Sequence, residues 1–109
     1  MTLILSPTSV IRVSPADFDP TRFAEVERMT RDTGTYLIPA ITRLSGLAGY
    51  FAGASPTGSM VHVSVWDSDA HAQQMGSLKE MVVDARRDAE AVGCRFSTPI
   101  LNYPVAWHI

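Results

Sequence analysis

The segment TSVIRVS, residues 8–14, alternates apolar and polar positions and is rich in β-branched side chains, which predicts a first strand. PADFDP follows, and its prolines are expected to break that strand. Asp19 before Pro20 predicts a helix start, because the carboxylate can accept from free N–H groups of the first turn while proline has no N–H to lose. Phe23, Val26, Thr30, Thr33, Leu37, Ala40, Ile41 and Leu44 then keep one helical phase, even with Gly34 and Pro39 inside the run. The spacing predicts a single helix, kinked beside Gly34, where Pro39 leaves the carbonyl of Thr35 without its donor.

GLAGYFAGAS and SMVHVSVWD flank PTG, a composition that predicts two antiparallel strands joined by a short glycine-containing loop. In the second of these, Val61, Val63 and Val65 share one face, while His62, Ser64 and Trp66 share the other. Ser68 is placed to cap a short helix running to Met75, ended by Gly76. SLKE at 77–80 reads as a capping box that starts a longer helix, ended by Gly93, with Leu78, Val82, Ala85, Ala89 and Val92 buried and Lys79, Arg86, Arg87 and Glu90 facing water. The tail RFSTPILNYPVAWHI is β-prone but holds Pro99 and Pro104, which suits an edge strand.

The predicted order is β-α-β-β-α-β over one domain, residues 1–109. This is the α+β, ferredoxin-like arrangement, an antiparallel sheet with both helices on one side. Helices cover only one face, yet the strands are apolar on both: the valines with Leu47 and Phe51, and also Tyr50, Trp66, Tyr103 and Trp107 in some register. A homodimer packed sheet against sheet is the expected cover for the face left open. Whether Tyr50 faces the helices depends on hairpin register. Pairing with Ser64 puts it there, and a slip of one residue sends it to the dimer face.

Nine basic and eleven acidic side chains give a net charge of -2, and no window is strongly basic, so nucleic acid is not an expected partner. Cys94 is the only cysteine, which excludes an internal disulfide and a cysteine-rich metal site and suits a reducing cytoplasm. Its expected place is the core, as a small hydrophobe. MTLILSPTS has no basic flank and is too short for a signal or a membrane span, so a soluble, unprocessed chain with no membrane partner is expected.

The stretch RLSGLAGYFAGASPTGSMVHVSVWDSDAHAQQM, residues 43–75, resembles the antibiotic biosynthesis monooxygenase family in its helix-end LSGLAGY, its hairpin, and its strand ending in Trp before an Asp or Ser helix start. The resemblance implies a dimeric α/β barrel of two ferredoxin-like subunits, each with a cavity between the sheet and its own helices, lined by the Trp that ends the third strand. It thereby assigns Trp66 to the pocket, and alternation sends Ser64 and His62 to the same side. The valine face would be the barrel interior shared by the two subunits. The haem-degrading branch is similar in fold but uses an Asn on the first strand and a His in the helix after the Trp. Residues 8–14 hold no Asn, and Gln74, Met75 and Gly76 stand where that His is needed, so haem degradation is not expected. His71, nearer the Trp, is not given the ligand role.

Quinone-forming members of the family oxygenate phenolic polycyclic molecules without metal or flavin. The resemblance therefore implies a cofactor-independent monooxygenase-like enzyme acting on a small aromatic or polyketide-type substrate. Such chemistry needs a proton acceptor or donor near an apolar, water-poor slot. His62 is the natural proton shuttle, Trp66 would shape the slot, Tyr50 and Tyr36 could hydrogen-bond a substrate oxygen, and Ser64 shares the strand face of His62 and Trp66. Met75 and Met81 would form adaptable walls, and Arg12 could hold a substrate anion.

Each residue also has a plainer structural reading. His62 and Ser64 could be satisfied polar groups of a half-buried strand, Trp66 and the methionines core packing, Tyr36 a surface or dimer contact, and Arg12 a partner across the sheet edge. No dinucleotide, phosphate-loop or metal-binding motif occurs, and His62, His71 and His108 lack ligand spacing, so no cofactor is expected. Asp17, Asp19, Asp67 and Asp69 flank helix starts, which capping explains. A non-catalytic dimeric module that binds a small apolar ligand, and an isomerase or lyase on the same scaffold, are the competing functions.

Overall fold

The computed structural model describes residues 3–109. Its order is β1 (Val10–Asp17), α1 (Phe23–Thr42), β2 (Leu47–Ser55), β3 (Ser59–Trp66), α2 (Asp69–Ala72), α3 (Arg86–Ala91) and β4 (Leu101–Pro104). The sheet runs β2-β3-β1-β4 and every pairing is antiparallel, the ferredoxin-like topology expected from the sequence.

β1 does not stop at the prolines. It runs through Pro15 to Asp17, all of it paired with β3. The reason is directional. Asp17 exchanges both backbone bonds with Arg95, and Ser9 accepts from Val105, so the odd-numbered residues of β1 present their peptide groups to the β4 side. β4 reaches only as far as Val13, so the N–H that Pro15 lacks would have met no ladder partner.

Asp19 caps the chain as expected, its Oδ1 accepting from the backbone N–H of Thr21 at 2.9 Å, and a turn of 3₁₀ helix at Pro20–Arg22 leads into α1. α1 continues through Pro39 and buries Val26, Met29, Thr33, Leu37, Ala40 and Ile41. The β2–β3 loop closes on Gly58, whose N–H donates to Ser55 O. Its φ of +101 and the 2.6 Å that would separate a Cβ from Phe18 O leave room for glycine alone.

The region after β3 departs further from expectation. Ser68 caps α2 as predicted, accepting from His71 N–H. Ser77 does not form the capping box; its hydroxyl donates back to Gln74 O, while the carbonyl of Leu78 takes the N–H groups of Met81 and Val82. The helix that follows opens as a π turn at Glu80–Ala85 before α3. The wider turn shifts the phase, so Met81 faces inward and Val82, expected in the core, is 42 % exposed. Gly93 ends the helix with a positive φ.

Two clusters of buried side chains fill the space between sheet and helices. One holds Val10, Leu37, Ile41, Trp66, Ala72, Met75 and Ala85; the other is built around Phe18, Val26, Met29, Met60 and Cys94. Cys94 is a buried packing residue, its Sγ 3.8 Å from Met60 Sδ. The opposite face of the sheet carries Ile11, Val13, Phe51, Val61, Val63, Val65, Leu101 and Tyr103, as the strand registers require. Phe51, Leu101 and Tyr103 are about half exposed there. Two residues change sides relative to the sequence reading. A bulge between Leu47 and Gly49 turns Leu47 to the helical face beside Trp66, and Tyr103, paired with Ile11, joins the open face and not Trp66. Among the described residues no helix is long and apolar enough to cross a membrane.

Candidate functional site

The hairpin register decides the site. Tyr50 pairs with Ser64 and Ala52 with His62 across β2 and β3, while Arg12 and Ser14 of β1 pair with Ser64 and His62 from the other side. Alternation then brings Arg12, Ser14, Tyr50, His62 and Ser64 onto one face, beneath the helices. A one-residue slip of β2 against β3 would have turned Tyr50 to the open face, away from His62 and Ser64, and the alternating apolar pattern opposes it.

His62 and Tyr50 form the centre. Tyr50 Oη lies 2.6 Å from His62 Nδ1, with the rings edge to face at 5.5 Å and an interplanar angle of 85°. His62 is 8 % exposed, and burial pushes its pKa down to about 4. Burial also raises the Tyr50 phenol, opposed in part by the charge of Arg12. At neutral pH both groups are therefore uncharged. The contact can be made by the phenol donating to Nδ1, or by Nδ1–H donating to Oη; the second arrangement leaves a lone pair on Nε2. Nε2 has no hydrogen-bond partner among the described residues. Every sealed side-chain nitrogen and oxygen among the described residues is hydrogen-bonded, so Nε2 must open on free space.

That space is threefold. A groove of about 740 Å³ runs between α1 and β2, lined on one side by Gly34, Leu37, Ile38 and Ile41 and on the other by Tyr50, Ala52 and His62. Small residues at Gly34 and Ala52 help keep it open. A hollow of about 110 Å³ lies between β1, β3 and the helix that carries Met81 and Ala85, closed at one side by Phe96 and Ile100. A third, of about 70 Å³, is bounded by Arg12, Ser14, Tyr50, His62, Ser64, Met75, Met81 and Ile100. His62 borders all three.

Of the residues singled out from the sequence, His62, Tyr50, Ser64, Arg12, Met75 and Met81 therefore meet around one small hollow. Two do not. Trp66 borders none of these three hollows; it has no exposed surface and is packed among Val10, Leu37, Ile41 and Met75. Its Nε1–H donates to Ser64 Oγ at 2.8 Å, so it positions that hydroxyl from behind and does not itself shape a slot. Tyr36 also lies elsewhere, its hydroxyl donating to Asp88 Oδ2 at 2.7 Å and tying α1 to α3. Ser14, Val82 and Ile100 were missed. Ser14 shares the parity of Arg12 and was legible from it, whereas Ile100 sits in an irregular segment that no periodicity marks. No group of three or more His, Cys, Asp or Glu side chains among the described residues could hold a metal ion.

The low pKa of His62 has a consequence for stability. Between pH about 6.5 and 4 the unfolded chain takes up a proton that the folded chain refuses, so stability is full above this window and falls as pH falls through it. The single group accounts for about 3 kcal/mol over that range. Urea midpoints measured at pH 7 and pH 4.5 should therefore draw apart less in His62→Gln than in the parent, the other titrating groups being common to both.

No family model matches the chain, and no curated protein sequence matches it. Solved structures do. A candidate antibiotic biosynthesis monooxygenase from Deinococcus radiodurans superposes with a TM-score of 0.66 at 16% identity, over 92% of this chain and 95% of that one. A cofactor-independent oxygenase from Streptomyces nogalater gives 0.63 at 11% identity, over 94% and 97%. A dimeric ferredoxin-like protein from an uncultured marine organism gives 0.61 at 14% identity, over 94% and 91%. Together with the strand order and the single helical layer, these likenesses give the chain the fold of the antibiotic biosynthesis monooxygenase-like proteins, dimeric ferredoxin-like structures among them.

Proposed function

We propose that the protein is a cofactor-independent monooxygenase-like enzyme that oxidises a small aromatic molecule held between the sheet and the helices. The observation that carries this reading is the buried, neutral His62, anchored by Tyr50 and bordering all three hollows with its second ring nitrogen unpartnered. In such a reaction the substrate supplies the electrons. A phenol loses its proton to Nε2, the resulting phenolate carbon adds dioxygen, and loss of water leaves a quinone. A basicity as low as that of the empty pocket is no obstacle, because a phenolate formed beside the imidazolium stabilises it. Tyr50 Oη, accepting from Nδ1–H, orients the ring and is a positioning residue. Met75 and Met81 give the walls the adaptability that flat ligands require.

The reading includes a homodimer in the cytoplasm. The lone reduced cysteine suits that compartment. The open face, with Phe51 55 % exposed beside Val63, is the surface a second copy would cover. Phe51→Asp is expected to convert the dimer to monomer in sedimentation velocity, and an unchanged sedimentation coefficient would remove the sheet-to-sheet arrangement. The catalytic reading is tested by following dioxygen uptake with hydroxylated naphthalenes and anthrones. Turnover that stops without oxygen supports it. Turnover that continues anaerobically would assign an isomerase or lyase, and ligand-dependent thermal stabilisation with no turnover would assign a binding module.

A further inference from the structure

Arg12, like Arg28 and Arg95, is in none of the ion pairs among the described residues, but those two are exposed, whereas Arg12 is half-buried and borders a hollow. The guanidinium carries five N–H donors, and its one side-chain acceptor is Asn102 Oδ1, 3.3 Å from Nη1. Asp69 is kept one residue away, because Asn102 Nδ2 donates to Asp69 Oδ1 at 2.9 Å and the amide stands between the two charges. Arg12 is also half-buried, and burial lowers its pKa. A partly desolvated cation with spare donors and no carboxylate in contact is complementary to an anion with planar, paired oxygens.

The surroundings narrow the anion. The 70 Å³ hollow beside Arg12 is also lined by the hydroxyl-bearing residues Ser14, Ser64 and Tyr50. Ser64 already accepts from Trp66 Nε1–H, which leaves its own proton to donate. The hollow is the smallest of the three spaces and is continuous in its lining with the other two, so a carboxylate held at Arg12 can carry its ring toward them. The 110 Å³ hollow shares Ser14, His62, Met81, Val82 and Ile100 with the small one, and the α1–β2 groove shares Tyr50 and His62. Either way, the atoms next to the head group pass the imidazole.

We propose that Arg12 anchors the carboxylate of an aromatic hydroxy acid, seated in the small hollow with Ser64 and Tyr50 so that the ring leaves past His62. The inference deepens the proposed function by naming the substrate class. It rests on that reading only for the fate of the bound molecule, since the binding needs no oxidation.

Calorimetric titration with 1-hydroxy-2-naphthoate and with 1-naphthol separates the contribution of the carboxylate. The parent protein should bind the naphthoate at least about tenfold more tightly than the naphthol, the size expected of a charge-assisted pair. Arg12→Gln should abolish that preference and leave naphthol affinity unchanged. In the unaltered protein, the Nε–H resonance of Arg12 should shift on addition of the naphthoate and stay in place with naphthol, which keeps the test decisive if the variant does not fold. Equal affinities in the parent, no binding of either compound, or a still Arg12 resonance overturns the proposal. Naphthoate preference with no oxygen uptake would support the anchor while removing the oxygenase reading.

Discussion

His62→Ala is expected to lower the rate of oxygen uptake by about 10²–10⁴-fold, the range for loss of a positioned proton acceptor. Among the described residues the removed ring is the only side chain that borders all three hollows. Tyr50→Phe keeps the imidazole but removes the oxygen 2.6 Å from Nδ1, so it should cost less. It should also move the acid limb of the kcat/KM profile, because the partner of the protonated ring has gone. In the parent that limb should lie near pH 4 and not near the ordinary histidine value, since kcat/KM reports groups of the free enzyme. A full rate in His62→Ala, with the circular dichroism of the parent, would remove His62 from the chemistry and favour a binding module.

Trp66→Ala is expected to produce the largest loss of stability of any single change considered, about 3–5 kcal/mol. The side chain has no exposed surface and is enclosed by Leu37 and Ile41 of α1, Val10 of β1 and Met75, so truncation opens a cavity that those rigid elements cannot close. For a domain of this length that corresponds to a fall in Tm of roughly 12–25 °C. Trp66→Phe retains most of the packing and deletes the donor to Ser64 Oγ, so its Tm should fall less. Affinity for a ligand in the small hollow should change only through the freed Ser64 hydroxyl. A Trp66→Phe protein of parental Tm that binds no ligand would mean that the indole touches the guest directly, against the packing described above.

His62 and Trp66 mark the boundary between what the chain discloses locally and what it does not. The β-α-β-β-α-β order, the helix start at Asp19, the cap at Ser68, the stop at Gly93 and the shared face of His62, Ser64 and Trp66 were legible because each follows from neighbours within a few residues. Sharing a face is not sharing a pocket. α1 and the segment carrying Met75 close over the Trp66 end of β3, while the space beside His62 stays open, and that difference lies in helix placement across the sheet. The same holds for Leu47, turned inward by a bulge; for Tyr36, claimed by Asp88 from another helix; for Val82, left partly exposed beside the hollows by a π turn; and for Pro15, tolerated because β4 is short.

Arg12 is the clearest case. Its parity on β1 was readable, but among the described residues its only side-chain acceptor is Asn102, ninety positions further along, on the neighbouring edge strand β4. The sequence by itself determined which residues alternate, where helices begin and end, and so the topology, because these depend on the short-range geometry of the backbone. The tertiary structure alone decided which polar groups stay unpaired and where space remains. Both are set by packing between segments far apart in the chain, which leaves no period in the sequence to read.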